Sequence, residues 1–365
     1  YDLAKEVKLL KLFFRGSLFR YVLTDEFVGN TEETQTGTHY PATSDRAVMA
    51  LPIPLPPLAE QKRIVAKVEE VLGRVTAARE RLAKAPAILK RFRQAVLAAA
   101  CSGRLTEEWR EQRQAPDPDG GDLPASWRCR ELSEVCSAFE YGSSQKSEKK
   151  GKVPVLRMGN IQDGAVDWAD LVYSTDEEEI RKYYLAPNTV LFNRTNSPEL
   201  VGKTGLYRGE RPAIFAGYLI RVIAGPELDP CFLNMSLNTP AFKKYCLQVR
   251  TDGVSQSNIN AKKLAAYSIN WCPPPEQQEI VRRVDALSKL ADAIERRVSA
   301  ASKRVDRLTQ AVLAKAFRGE LVPTEAELAR AEGRDYEPAS VLLERIRAER
   351  AAAPTSAKSG RRRKV

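Results

Sequence analysis

Three polar segments in the middle of the chain carry the side chains best suited to hold or read a nucleic acid. The first contains Tyr141, Ser143, Ser144 and Lys146, followed by Lys149, Lys150 and Lys152 and then by Arg157 and Asn160. The second is Asn193, Arg194, Thr195, Asn196 and Ser197, with Lys203 shortly after it. The third runs through Ser255, Gln256, Ser257 and Asn258 to Asn260. Arg, Asn and Gln carry paired donors and acceptors that match purine edges in a major groove, whereas Ser, Thr and Lys position a protein on phosphates. Any one segment reads equally well as an ordinary polar loop. Three of them on a chain of net charge +11 favour contact with duplex DNA. The neighbouring aromatics Phe215 and Tyr218 are expected in the core.

Catalytic chemistry finds little support. Gly202-Lys203-Thr204 resembles the end of a phosphate loop, but Ser197 occupies the position of the required first glycine. The Asn193-Arg194-Thr195-Asn196 run lacks the prolines and aromatic of an amino-methyltransferase loop. A single histidine, His39, leaves a histidine-based triad without an obvious nucleophile. Cys101, Cys129, Cys136, Cys231, Cys246 and Cys272 have no CxxC spacing, so they read as reduced thiols and no zinc site is expected. Asp176-Glu177-Glu178-Glu179 is more simply a helix start favoured by the macrodipole. The expectation is a non-catalytic chain that binds no cofactor or metal itself. No apolar run approaches the ~18 residues of a membrane span, which suggests a cytoplasmic protein without a membrane partner.

Such side chains need a scaffold, and the chain contains one twice. Glu60-Gln61-Lys62-Arg63-Ile64-Val65 returns 216 residues later as Glu276-Gln277-Gln278-Glu279-Ile280-Val281, and Gln94-Ala95-Val96-Leu97-Ala98 returns as Gln310-Ala311-Val312-Leu313-Ala314. Each copy follows a proline-rich stretch and reads as a long helix. In the first, Ile64, Val68, Val71, Val75, Leu82, Leu89, Phe92 and Val96 keep a heptad rhythm. In the second, Ile280, Val284, Leu287, Ile294, Val298, Val305, Leu308 and Val312 do the same. So narrow a seam favours a helix as partner, and each copy can serve the other. Gly103 and Gly319 stand where left-handed caps are expected. Pro86 has no counterpart in the second copy and should kink or locally break the first helix.

The resulting fold class is an α/β (α+β) recognition domain joined by two long antiparallel coiled-coil helices. Residues 1–55 read as the last part of a first, apparently truncated domain, with Leu18–Leu23 a helix turn or strand and 49–55 an incoming strand. A helix at 56–105, a linker at 106–122, a compact domain at 123–272 and a second helix at 273–321 follow. Short β-prone runs inside that domain lie at Val153–Met158, Thr189–Phe192 and Ala213–Val222, and a helix starts at Thr239. A charged helical extension at 322–350 and a basic, disordered tail at 351–365 close the chain.

These features resemble the specificity subunits of type I restriction–modification systems. The likeness lies in Leu51–Val65 and its twin Pro273–Val281, and in Phe92–Leu105 and its twin Leu308–Leu321. Within the central domain it lies in Val155–Gly164, Leu191–Ser197 and Gly253–Asn260. The resemblance implies a DNA-binding subunit whose recognition domains each read half of a bipartite target, held apart by the helices as a ruler. It also implies two methyltransferase subunits carrying S-adenosylmethionine, and restriction subunits using ATP and Mg. The shortened first domain departs from the family pattern; the favoured expectation is that most of that domain is missing from the sequence, and only a chain that truly starts at Tyr1 would self-pair into a symmetric reader. A coiled-coil interaction protein without a nucleic-acid role is the competing reading.

Overall fold

The computed structural model describes residues 15–37, 41–113, 123–254 and 256–352. His39, most of the 106–122 linker, Ser255 and the basic tail beyond 352 lie outside the described residues. The chain divides into two compact units, one of residues 1–85 with 296–365 and one of residues 86–295. Each unit contains a stretch of both long helices, Leu58–Ala100 and Pro274–Phe317.

Both helices start immediately after prolines, which cannot donate a helical N–H but fit the first turn. They end before Gly103 and Gly319, at φ +80° and +73°, a region that glycine enters without a Cβ clash. The first helix runs unbroken through Pro86, contrary to the expected break. Pro86 is exposed, and Leu89 beyond it is still buried.

In the unit of residues 86–295 a six-stranded sheet orders Cys136–Tyr141, Leu219–Ala224, Thr189–Asn193, Thr204–Tyr207, Gly164–Val166 and Ile161–Gln162. Thr189–Asn193 and Thr204–Tyr207 are buried throughout. Strand alternation then splits their side chains between two cores. Val190 and Phe192 join Ile220, Val222, Phe232 and Phe242 on one face. Leu191 joins Leu156, Tyr207, Phe215 and Leu219 on the other. The first core continues into Val96 and Ala100 of one long helix and Ile280 and Val284 of the other. Leu89 and Ala291 are buried as well, and Arg93 bridges Asp292 and Glu295 at 3.0 and 2.7 Å. The run at 213–222 is not one strand: Ile214–Phe215 pairs with Val153–Leu156, and a turn at Ala216-Gly217-Tyr218 precedes Leu219–Ala224. The helix Pro240–Val249 is capped by Thr239, whose hydroxyl accepts from the Phe242 amide. Part of the expected linker is also folded: Glu107–Glu111 is helical, and its Arg110 is buried against Glu276 at 2.6 Å.

In the other unit, Ile64 and Val68 of the first helix share a core with Val312, Leu313 and Ala316 of the second. Arg79 pairs with Asp306 at 3.0 Å, so rising numbers on one helix meet falling numbers on its partner, an antiparallel arrangement. Arg15–Tyr21 is a helix, and the Tyr21 ring packs edge-on against Phe317 with centroids 5.0 Å apart. No strand forms at 49–55: Asp45–Ala50 is a short helix, and Pro52 and Pro54 remove donors a strand would need. Residues 322–350 are not one helix. Glu325–Glu332 ends at Gly333, at φ +63°, and Ala339–Ala352 follows.

The seam is uneven. Its first-helix residues are all buried or half-buried, but Ile294 and Leu308 in the second are exposed. A straight α-helix drifts about 20° per heptad from an ideal seam, enough to turn some middle positions outward.

Candidate nucleic-acid interface

Two of the polar segments and the end of the third meet at one cleft in the unit of residues 86–295. It measures about 680 Å³ and is lined by Ser143, Ser144, Gln145, Lys146, Ser147, Arg157, Val172, Arg194, Thr195, Ala216, Gly217, Tyr218 and Asn258. The first wall begins at Gly142, where any Cβ would stand 2.4 Å from the carbonyl oxygens of Phe215 and Ala216. Only glycine allows that approach. Ser143 then turns the loop: its hydroxyl accepts from the Gln145 amide at 3.0 Å and donates to the buried carboxylate of Glu179. Ser174 donates to the same carboxylate. Beyond this anchor the Ser144, Gln145 and Lys146 side chains are exposed and have no partner among the described residues.

The floor is a fixed polar network. The Arg194 guanidinium lies 4.8 Å from the Tyr141 ring centroid, donates to the Gly217 carbonyl at 3.3 Å and to Asn258 Oδ1 at 3.2 Å. Asn258 Nδ2 donates in turn to Thr195 Oγ1 at 2.8 Å. The Tyr141 hydroxyl accepts from the Ala261 amide at 2.9 Å, tying the ring to the third segment. Much of Arg194's donor capacity is therefore spent inside the protein. Arg157 donates to the Asp170 carbonyl at 2.9 Å and to its carboxylate at 3.3 Å, which directs its head across a turn at the rim.

Several predicted contact residues serve the fold instead. Asn160 is buried, accepting from the Arg157 amide and donating to the carbonyls of Asp167 and Ala169. Asn193 is fully buried at the end of a central strand and cannot reach a ligand. Ser257 is also buried, bonded to Asp252, whose carboxyl is held below its ordinary range chiefly by that hydroxyl. Asn260 caps the helix Ala261–Ala265, Asn196 closes its own turn on the Ser197 amide, and half-buried Lys203 donates to Gln162. Strand position buries Asn193 and Ser257, while a capping or turn bond occupies the side-chain oxygen of Asn260 and Asn196. Gln256 is exposed, apart from the cleft lining, in a hairpin loop. Tyr218 corrects the opposite expectation: it is exposed and lines the cleft, while Phe215 is buried. Gly217 beside it was the available sign of a turn.

Among the described residues, no group of His, Cys, Asp and Glu is arranged to hold a metal. Burial pushes the Cys101 thiol up to about 11 and those of Cys136 and Cys246 up to about 12, so these sulfurs stay protonated at neutral pH. No helix among the described residues is long and apolar enough to cross a membrane.

Comparison with known proteins places the chain in a family. Residues 124–301 match the model of the type I restriction modification DNA specificity domain. The type I restriction enzyme EcoKI specificity subunit of Escherichia coli K12 is 32% identical over 351 residues, covering 94% of this chain and 73% of that protein. The EcoBI specificity subunit of Escherichia coli is 35% identical over 325 residues, covering 85% and 66%. Among solved structures, the HsdS subunit from Thermoanaerobacter tengcongensis matches with a TM-score of 0.56 at 26% identity, over 84% of this chain and 70% of that one. A chain from a structure describing complex assembly and conformational transition of the type I R-M system matches with a TM-score of 0.62 at 27% identity, over 83% and 70%. The chain belongs to the specificity subunits of type I restriction–modification systems, the non-catalytic members of those complexes.

Proposed function

We propose that the cleft between the Gly142–Ser147 loop, Arg157, Tyr218 and Asn258 receives duplex DNA and reads one half of a bipartite target. The observation that carries this reading is the convergence of separate polar segments on one open groove. Their exposed ends are donors, while their inner ends are fixed by Glu179 and Arg194. In this scheme Lys146 and Ser144 meet phosphate, Gln256 reads a base edge, and the Arg194–Asn258–Thr195 network holds the reading surface rigid. The long helices dock two methyltransferase subunits, which bring S-adenosylmethionine, and a restriction subunit brings ATP and Mg; the assembly works in the cytoplasm. The helix pair sets the unread spacer, so inserting one heptad in both helices changes the spacer the complex accepts.

Binding of the purified complex to duplex DNA across a salt series tests the groove. Lys146→Ala is expected to weaken binding on all sequences alike and to lower the salt slope by about 1. Gln256→Ala is expected to cost ~1–3 kcal/mol at particular base pairs and to leave non-specific affinity intact. Salt-independent binding, or none, would favour the interaction-protein reading.

A further inference from the structure

Next to the cleft, Thr251–Asp252 and Ser257–Asn258 form a hairpin that pairs with Thr195–Asn196 in a small three-stranded sheet. At its tip Val254 is fully exposed, more so than any other large apolar side chain among the described residues. Its mount is well fastened. The Gly253 amide donates to the Gln256 carbonyl at 2.8 Å, and Arg250 pairs with Asp252 at 2.9 Å. Ser257 closes on Asp252 from the other strand. Lys263 donates to the Val249 carbonyl at 2.6 Å and to the Thr251 hydroxyl at 2.8 Å. Asn258, one strand end of this hairpin, is also part of the cleft floor. A branched apolar side chain is thus held out in water on a polar, cross-braced ribbon continuous with the proposed reading surface.

A two-stranded ribbon fits the major groove, where the apolar feature that distinguishes one base from the others is the C5-methyl group of thymine. We propose that Val254 is a specificity-determining residue that recognises the C5-methyl of a pyrimidine, with Gln256 beside it on the same loop. The inference rests on the DNA-reading role proposed above and assigns that role an apolar base contact.

The test replaces each thymine of the target, located by mapping methylated adenines, with deoxyuridine, which removes only the methyl. Binding is measured for the complex carrying wild-type chain and for that carrying Val254→Ser. Wild type is expected to lose roughly four-fold in affinity at one thymine, the worth of one buried methyl. V254S is expected to bind thymine and deoxyuridine duplexes alike while keeping its non-specific affinity. Because Val254 touches no core, circular dichroism of the variant should match wild type. Equal tolerance of deoxyuridine at every position by wild type, or an unchanged penalty in V254S, overturns the inference while leaving the DNA-reading role standing. Failure of the wild-type complex to bind any duplex overturns both.

Discussion

The starts of the two long helices repeat each other in sequence and in local geometry, yet they do different work. Gln61 Nε2 donates to the Pro56 carbonyl at 2.7 Å, and its twin Gln277 donates to the Cys272 carbonyl at 2.6 Å, the same latch five residues back. There the copies part. Gln277 also donates to the Glu227 carbonyl at 2.9 Å and accepts from the Asp229 amide at 2.7 Å, so one side chain ties the helix to the loop before Pro230–Ser236. Gln61 Oε1 is buried without a partner among the described residues. Glu276 gathers Thr106 at 2.7 Å, Arg110 at 2.6 Å and Trp127 at 2.9 Å, whereas Glu60 accepts the Glu325 amide at 2.8 Å. Where the second copy has Glu279, paired with Arg282 and Arg283, the first has Arg63, paired with Glu325. One module therefore supplies a helix start and a fastening point, and the surroundings decide what is fastened.

The comparison can be broken most directly at the paired glutamates. Glu276→Ala strands the buried Arg110 charge and is expected to destabilise the unit of residues 86–295 by about 3 kcal/mol or more. Glu60→Ala removes a backbone bond without stranding an equivalent charge and should cost about 1–2 kcal/mol. All four tryptophans lie between residues 86 and 295, so urea unfolding followed by tryptophan fluorescence reads this unit, and far-UV circular dichroism reads both. Equal losses from the two substitutions would mean that the copies bear the same weight.

The glutamines sharpen the same point with a smaller effect. Gln277→Ala leaves the half-buried Asp229 amide and the Cys272 carbonyl unpaired and is expected to cost about 2–3 kcal/mol, against about 1 kcal/mol for Gln61→Ala. A cost at Gln61 matching that at Gln277 would break the contrast.

Acid reaches both copies through carboxylates of opposite origin. Hydrogen bonding and charge from Arg282 and Arg283 hold the Glu279 carboxyl at about 2, against an ordinary value of 4.5. Arg63 and Arg334 lower Glu325 in the same direction. A depressed carboxylate pKa adds stability that is fully present above the ordinary value and is lost as pH falls through the folded one. Stability should therefore decline as pH drops from about 4.5 toward 2, with Glu279→Gln removing part of that slope from the fluorescence-detected transition. An unchanged slope would show that the arginines do not bind Glu279 in solution. The smallest effect is expected from Arg79→Ala, whose exposed pair with Asp306 is worth under about 1 kcal/mol.

The readable and unreadable parts of the site separate along a physical line. Glycine caps, proline-led helix starts, capping residues such as Thr239 and Asp176, and the apolar seam are local. Each follows from one residue's donors, branching or allowed dihedrals, so the spacing along the chain suffices. The reading surface is not local. Asn193 and Thr195 sit two residues apart in one polar run, yet Asn193 ends a fully buried strand and Thr195 lines the cleft. Tyr218 and Phe215 are three apart, and the turn at Gly217 sends one outward and the other into the core.

From sequence alone came the doubled helix, its caps and the first helix's half of the seam, the absence of catalytic motifs and the family. Those depend on periodicity and on the chemistry of single residues, which any chain carries with it. Tertiary structure alone decided that Ser143 is anchored on Glu179, that Arg194 turns inward to Asn258, and that Val254 stands exposed at a braced tip. Which atoms meet across 36 or 64 residues depends on sheet order and close packing, and these emerge only when the whole core is assembled.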